Sequence, residues 1–395
     1  MSSPTPLAGI KVVEFTHMVM GPTVGHILAS LGAEVIRVEP IGGDQTRRLL
    51  GSGAGYFPMY NRHKKSICLD LKSKQGIEIA KRLCARADIL VENFRPGALD
   101  RLGLDYETLD QTNPRLIYCS QKGFLPGPYE DRTALDEVAQ MMGGLAYMTG
   151  PPGKPLRAGA SVIDVTGGMF GVIAILAAIE ERHRTGQGQK VISSLFETTA
   201  YLVGQHMAQK AVTGKAADPM PARISAWAIY DVFETADEPV FIGVVTDALW
   251  EKFCALFNLD ALWANVDLRK NNQRVMAREL IMPEIRALMK TYSRDAIIAK
   301  LDGTGLPFAA IGRPEDLFDD PHLIASGGLE LVTMPDGSQT NLPALPITMH
   351  GMRATLPSAL PNPGRDTSEI LEMLGFDADA IAALISSGAA EGELT

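Results

Sequence analysis

Three features of the 395-residue chain predict an α/β fold built on a parallel sheet. Strand-like apolar runs alternate with helical stretches of about 10–15 residues over roughly the first 125 positions, the pattern of βαβ units. Apolar residues make up 46% of the chain and charged residues 21%, enough to bury a core and inconsistent with disorder. At about 100–200 residues per domain, the length predicts two domains, or one large domain with an insertion. Ligands of such sheets gather in the loops beyond the carboxyl ends of the strands.

The elements follow in order. Residues 9–15 (GIKVVEF) read as a strand, 21–31 as a short helix and 32–40 (GAEVIRVEP) as a second strand. Residues 66–71 are a short third strand, and 74–86 place Ile77, Ala80, Leu83 and Cys84 at helical spacing. Further strands are expected at 87–94 (ADILVENF) and 115–124. Residues 134–148 read as a helix, followed by the Gly/Pro-rich loop TGPPGKP at 149–155. Asp164 opens a long apolar helix ending near Arg184. Its longest apolar run, 167–179, has 13 residues, short of the about 20 of a membrane span, so a buried helix is expected. A turn at 185–189, a strand at 190–195 and a helical stretch at 196–213 follow. Residues 214–225 (GKAADPMPARIS) read as a linker, 226–325 as a second alternating block, and 326–395 as a Pro-rich return segment ending in helices (TSEILEMLGF, ADAIAALISS).

Composition excludes several functions. Lys plus Arg is 37 and Asp plus Glu is 46, a net charge of −9, which argues against a nucleic-acid or polybasic membrane-binding role. The cysteines Cys68, Cys84, Cys119 and Cys254 form no CxxC pair, so neither a zinc knuckle nor a disulfide framework is expected, in keeping with a reducing cytoplasm. The start, MSSPTPLAG, lacks the basic and apolar regions of a secretory signal, and none is expected. No GxxxxGK[ST], HExxH or GxSxG occurs. GSGAGY (51–56) has neither the spacing nor the strand-to-helix context of a dinucleotide loop. The seven histidines have no ligand spacing, so no metal site is predicted.

Eight segments, in order along the chain, carry a family resemblance: GIKVVEFTHMVMGP (9–22), LGAEVIRVEP (31–40), NRHKKSICLDLKSKQG (61–76), ADILVENFRPGALDRLGL (87–104), NPRLIYCSQKGFLPGPYEDR (113–132), GASVIDVTGGMFGVIAILAAIEERHRTGQGQKV (159–191), FAAIGRPEDLFDDPH (308–322) and PGRDTSEILEMLG (363–375). Together they resemble the family III coenzyme A transferases, the CaiB/BaiF group. The resemblance implies a large Rossmann-like domain, 1–213 completed by 326–395, around a smaller central α+β domain at 226–325, in an interlocked homodimer. It implies acyl-CoA and carboxylic acids as substrates, with coenzyme A as a substrate and not a resident cofactor.

The resemblance places the family's catalytic aspartate at Asp164. By itself, Asp164 reads equally as a helix N-cap. Asp136 matches a glutamate near the active site of formyl-CoA transferase, and by itself reads equally as a first-turn helix acid. For coenzyme A the resemblance points to His17, Met18 and Val19 near the thioester, and to Leu69, Asn93 and Phe94 near the adenine. Arg37, Lys72, Arg95 and Arg101 are the expected phosphate partners, though each also reads as a solvated surface charge. The related α-methylacyl-CoA racemases carry Gly-His-Asp where this chain has Ala134-Leu135-Asp136, so a two-base racemisation lacks one base.

Formyl-CoA transferase has glutamine at Val19, arginine at Pro40 and a tetraglycine flap where 214–225 has no glycine run, which puts an oxalate/formate pair in doubt. Arg223 reads as a partner for a second carboxylate of a longer acid, and equally as an exposed charge. The expected activity is transfer of coenzyme A from a short dicarboxylyl-CoA such as succinyl-CoA to a carboxylic acid. An acyl-CoA racemase and a non-catalytic CoA-binding subunit are the alternatives.

Overall fold

The computed structural model describes residues 5–223, 225–353 and 359–392. The chain divides into two compact units, Met1–Pro221 with Pro321–Thr395, and Ala222–Asp320.

The first unit is built on strands β1 (Lys11–Phe15), β2 (Glu34–Glu39), β3 (Lys64–Leu69), β4 (Ile89–Glu92), β5 (Ile117–Lys122) and β6 (Gln189–Ser194). The second unit contributes β7 (Tyr230–Phe233), β8 (Val240–Gly243) and β9 (Phe308–Ala310), and the return segment of the first adds β10 (Leu329–Thr333), β11 (Gln339–Pro343) and β12 (Ala390–Glu391). The main sheet has seven strands in the order β12-β3-β2-β1-β4-β5-β6. All its pairings are parallel except β12 on β3. The chain steps outward from β1 to β2 and β3, then crosses back to β4 beside β1. That reversal makes β1 and β4 the topological switch point, where the carboxyl ends of neighbouring strands diverge and leave a crevice.

Alternation along the strands sends side chains to two cores. Val13 and Phe15 join Ile67, Leu83, Leu90, Tyr118 and Leu371 on one face. Val12 joins Val24, Leu28, Val35, Ile89, Cys119 and Ile175 on the other. On that second face the helix Met20–Ser30 lies against the helix Val162–Thr185. Glycines allow the close approach. A Cβ at Gly168 would come 2.8 Å from the Met20 carbonyl oxygen, and one at Gly167 would come 2.7 Å from Met20 Cε. Among the described residues, Val162–Thr185 is the one helix long and apolar enough to cross a membrane. Its 24 residues exceed the apolar run because Val162 to Thr166 and Glu180 to Thr185 extend it, and its Gly167, Gly168, Gly171 and Ile175 are buried.

The return segment is tied to β3. Asp366 Oδ2 accepts the Ser66 N–H at 2.8 Å, and the Ser66 carbonyl accepts the Asp366 N–H at 3.0 Å. The helix Thr367–Met373 packs into the first core through Ile370 and Leu371.

Two expected helices are split. Residues 134–148 form Asp136–Met142 and Leu145–Thr149, because Gly144 adopts φ +85° between them. Residues 196–213 form Leu195–Leu202 and Gly204–Thr213, divided at Val203. The second unit has a three-stranded antiparallel sheet in the order β7-β8-β9. Helices pack around its core of Trp250, Phe253, Ile281, Ile285, Met289 and Leu301.

Candidate active site

Two features of the first unit are candidates for the site. The first is the crevice at the switch point. It is a cavity of about 730 Å³ bounded by the turn after β1 (Thr16, His17, Met18), the end of β2 and the loop after it (Val38 to Ile41, Asp44 to Thr46), the end of β3 (Leu69 to Lys72), and Phe94 with Ala98 and Leu102 after β4. Its β1 and β4 margins are joined by a reciprocal pair of hydrogen bonds. The His17 N–H donates to Asn93 Oδ1 and Asn93 Nδ2 donates to the His17 carbonyl, each at 2.9 Å. The His17 and Phe94 rings stand 5.6 Å apart. Met18 holds φ +62°, a left-handed conformation rare outside glycine, and its N–H donates to Thr46 Oγ1 at 3.3 Å. The chain turns sharply there from β1 into the helix Met20–Ser30.

Of the expected coenzyme A residues, the structure brings His17, Met18, Leu69, Lys72 and Phe94 onto the cavity wall, with Asn93 bracing it. Arg95 and Arg101 are exposed on the segment after β4 and do not line the cavity. Two expectations are corrected. Val19 is buried and does not line the crevice, because the helix begins at Met20 and turns its side chain inward. Arg37 does not line the crevice either. It is fully buried, with ion pairs to Glu14 at 3.1 Å and Asp44 at 2.7 Å, and Glu39 at 4.0 Å. Asp44 in turn accepts the Thr46 N–H at 2.6 Å, so Arg37 braces the loop that lines the crevice.

The second feature is a carboxylate cluster at the start of the helix Val162–Thr185. Ser161 precedes this helix, yet its side chain makes no capping bond. The cap comes from elsewhere in the chain. Asp136 Oδ2 accepts the Ile163 N–H at 2.8 Å and the Asp164 N–H at 3.2 Å. Asp136 is 3% exposed, and this oxygen is engaged by the helix backbone. Gln140 Nε2 donates to Asp136 Oδ1, while Gln140 Oε1 accepts the Ala158 N–H at 2.8 Å.

Asp164 itself is half-buried in the first turn of the helix. Its pKa is pushed from 3.8 up to about 7, first by burial, then by the neighbouring charges of Asp136 and Glu137; Arg157, paired with Glu137, pulls the other way. Tyr60 stands in the same field: burial raises its pKa, and the charges of Asp164 and Asp136 add to the rise. A carboxylate this basic is a stronger nucleophile than an ordinary aspartate and is still substantially ionised near neutral pH.

Sequence reasoning missed Tyr60, Gln140, Glu137 and Arg157. Gln140 had a signal, since it lies one helical turn after Asp136 on the same face. At the position of the racemases' histidine, Leu135 is an exposed aliphatic side chain that takes no proton. Among the described residues, no group of three or more His, Cys, Asp or Glu side chains is arranged to hold a metal ion.

The model of CoA-transferase family III matches residues 7–367. An acyl-CoA transferase of Fusarium pseudograminearum is 34% identical over 398 residues, covering 96% of this chain and 87% of the relative. A succinyl-CoA:glutarate CoA-transferase of Mus musculus is 31% identical over 394 residues, covering 98% of this chain and 90% of the relative. The crystal structure of a CaiB/BaiF family protein from Brucella suis superposes with a TM-score of 0.83 at 34% identity, covering 94% of this chain and all of that one.

Proposed function

The chain belongs to CoA-transferase family III, and from that membership we propose that it moves coenzyme A from a short dicarboxylyl-CoA, succinyl-CoA first, to a carboxylic acid through an acylated Asp164. The observation that carries the proposal is the half-buried carboxylate of Asp164, raised to about 7 at the head of a helix in the same unit as the crevice.

The steps balance without an outside energy source. An Asp164 carboxylate oxygen attacks the thioester carbonyl and the C–S bond breaks. A mixed anhydride and the coenzyme A thiolate result. The thiolate attacks the aspartyl carbonyl, releasing the donor acid as its carboxylate and leaving an aspartyl-CoA thioester. The acceptor carboxylate attacks that thioester, displacing the thiolate and forming a second anhydride. The thiolate then attacks the acceptor's carbonyl, and Asp164 leaves as a carboxylate. Covalent capture divides one difficult exchange into steps that each keep an activated acyl group.

Trapping tests the reading directly. The protein is incubated with succinyl-CoA and a panel of other acyl-CoAs, hydroxylamine is added, and peptides are mapped by mass spectrometry. A hydroxamate at Asp164 is expected, strongest with the true donor. An unmodified Asp164 with every acyl-CoA would overturn the mechanism.

We propose the interlocked homodimer as the working assembly. Met169, Ile173 and Leu176 on the Asp164 helix, with Tyr201, Met207 and Val212 on the helices that follow β6, leave apolar side chains exposed on the single chain. A solution mass of one chain at micromolar concentration would count against it.

A further inference from the structure

We propose that Asp136 and Gln140 form one positioning device for the nucleophile, with Asp136 capping the Asp164 helix from outside it and Gln140 locking Asp136 to the backbone at Ala158. The proposal rests on the reading of Asp164 as the acyl acceptor. Neither residue touches substrate in this account; both act through Asp164.

The geometry carries the argument. A helix start leaves several N–H groups without partners, and the residue before the helix usually supplies one. Ser161 does not. Asp136 supplies two acceptor contacts, and one of them holds the N–H of Asp164 itself. The nucleophile's backbone is therefore fixed by a buried side chain 28 positions earlier in the chain. Asp136 is in turn fixed by Gln140, which is fully buried. The hydrogen bonds have a strict polarity. A carboxylate at 136 can only accept, so Gln140 must present its amide nitrogen there. Gln140 is then left with its oxygen for the Ala158 N–H. The amide thus has one orientation, and it ties the 157–158 segment, including the Arg157 that influences Asp164, to the helix start.

This polarity permits an exchange of roles. In Asp136→Asn, the oxygen still accepts from the helix but the new NH₂ meets the Gln140 NH₂. Turning Gln140 over moves the conflict to the Ala158 N–H. In Gln140→Glu, two carboxylates face each other. In the double variant Asp136→Asn/Gln140→Glu, the introduced amide oxygen caps the helix and its NH₂ donates to the introduced carboxylate. The other oxygen of that carboxylate accepts from the Ala158 N–H. Every partner is restored, with the negative charge moved from position 136 to position 140.

Two measurements on the full-length protein test the device. The first is amide hydrogen exchange in the peptide spanning residues 161–166. Asp136→Ala should speed it about fivefold to thirtyfold, the size of a lost helix cap, and the double variant should return it to the wild-type rate. The second is acyl transfer. Each single variant should lower kcat on the order of 100-fold, the cost of a misplaced reacting group, with KM for acyl-CoA within about twofold because the crevice is untouched. The double variant should recover kcat to within about fivefold of wild type, a coupling that independent structural damage would not produce. Wild-type exchange in Asp136→Ala, or a double variant no better than the singles, overturns the proposal. The exchange measurement needs no turnover, so failure of the transferase reading, seen as an unlabelled Asp164 in the wild type, is distinguished from failure of this one.

Discussion

Replacing Asp164 with asparagine should abolish transfer and stabilise the fold, and the stabilisation should depend on pH. In the folded chain the Asp164 carboxyl titrates near 7, against 3.8 as its ordinary value. A raised acid pKa means that the folded state holds its proton more tightly than the unfolded state does. The resulting penalty on the fold is absent below about pH 4, grows as pH rises, and is complete above about pH 7. At about 1.36 kcal/mol per pH unit, the penalty is roughly 2 kcal/mol at pH 5 and roughly 4 kcal/mol at pH 8. Asparagine keeps the shape and carries no charge, so it escapes the penalty at both pH values. The advantage of Asp164→Asn over wild type should therefore widen by roughly 2–3 kcal/mol between pH 5 and pH 8. The unit that holds Asp164 has roughly 300 residues, whose unfolding entropy of about 0.6 kcal/mol/K makes this a further gain of about 4 °C in Tm. Thermal melts of both proteins at the two pH values measure it. A Tm difference that does not change with pH, or a variant less stable than wild type at pH 8, would refute the assignment of Asp164 as a destabilised, basic carboxylate.

Other perturbations separate binding from scaffolding. Gly168→Ala would place a Cβ 2.8 Å from the Met20 carbonyl, where backbone must move; a loss of about 1–3 kcal/mol in chemical denaturation is expected, with activity reduced as well. Arg37→Met should cost about 3–5 kcal/mol, because it leaves buried Asp44 without its ion-pair partner and removes one of the two cations that each of buried Glu14 and Glu39 meets, Lys64 and Arg47 being the others; a stable variant with only a raised KM for coenzyme A would restore the phosphate-binding view of Arg37. Asn93→Ala removes both bonds to the His17 backbone, so KM for acyl-CoA should rise about fivefold to tenfold while hydroxamate formation at Asp164 at saturating acyl-CoA is retained.

How much of this was legible in the sequence follows from whether a signal is local. The strands and the helix at 74–86 were readable because alternation and 3.6-residue spacing are local properties, and the structure has that helix at Lys74–Arg86. Asp164 stood out only through the family resemblance, since by itself a carboxylate at the start of an apolar helix reads equally as an N-cap. The division of 134–148 was missed because Gly143 and Gly144 look tolerable within a helical pattern, and only the positive φ at Gly144 shows the break. The strand β12 was missed because it has two residues and exists only through its antiparallel pairing with β3. The burial of Arg37 was missed for the same reason. A basic residue in a strand beside a crevice reads as a phosphate partner, and nothing local reveals that Glu14, Glu39 and Asp44 enclose it. Asp136 and Ile163 are 27 positions apart, so the cap could not be inferred from spacing at all.

Crevice and nucleophile also form one mechanical unit. The His17–Met18 turn that lines the cavity leads directly into the helix Met20–Ser30. Met20 at its head rests on Gly167 and Gly168, one turn after Asp164 in the catalytic helix. The turn itself is held from two sides, by Asn93 after β4 and by Thr46 in the loop that Arg37 and Asp44 brace. A ligand that draws the β1 and β4 margins together therefore acts on the element against which the nucleophile's helix is packed. Close-packed glycine contacts transmit such displacements because there is no free volume to absorb them. This accounts for the placing of Gly167 and Gly168 in the first half of a long helix, where glycine otherwise lowers helix stability. Their missing side chains bring the Asp164 helix close against the Met20 backbone that follows the crevice turn, so that the position of Asp164 is set jointly by the Asp136 cap and by that packing.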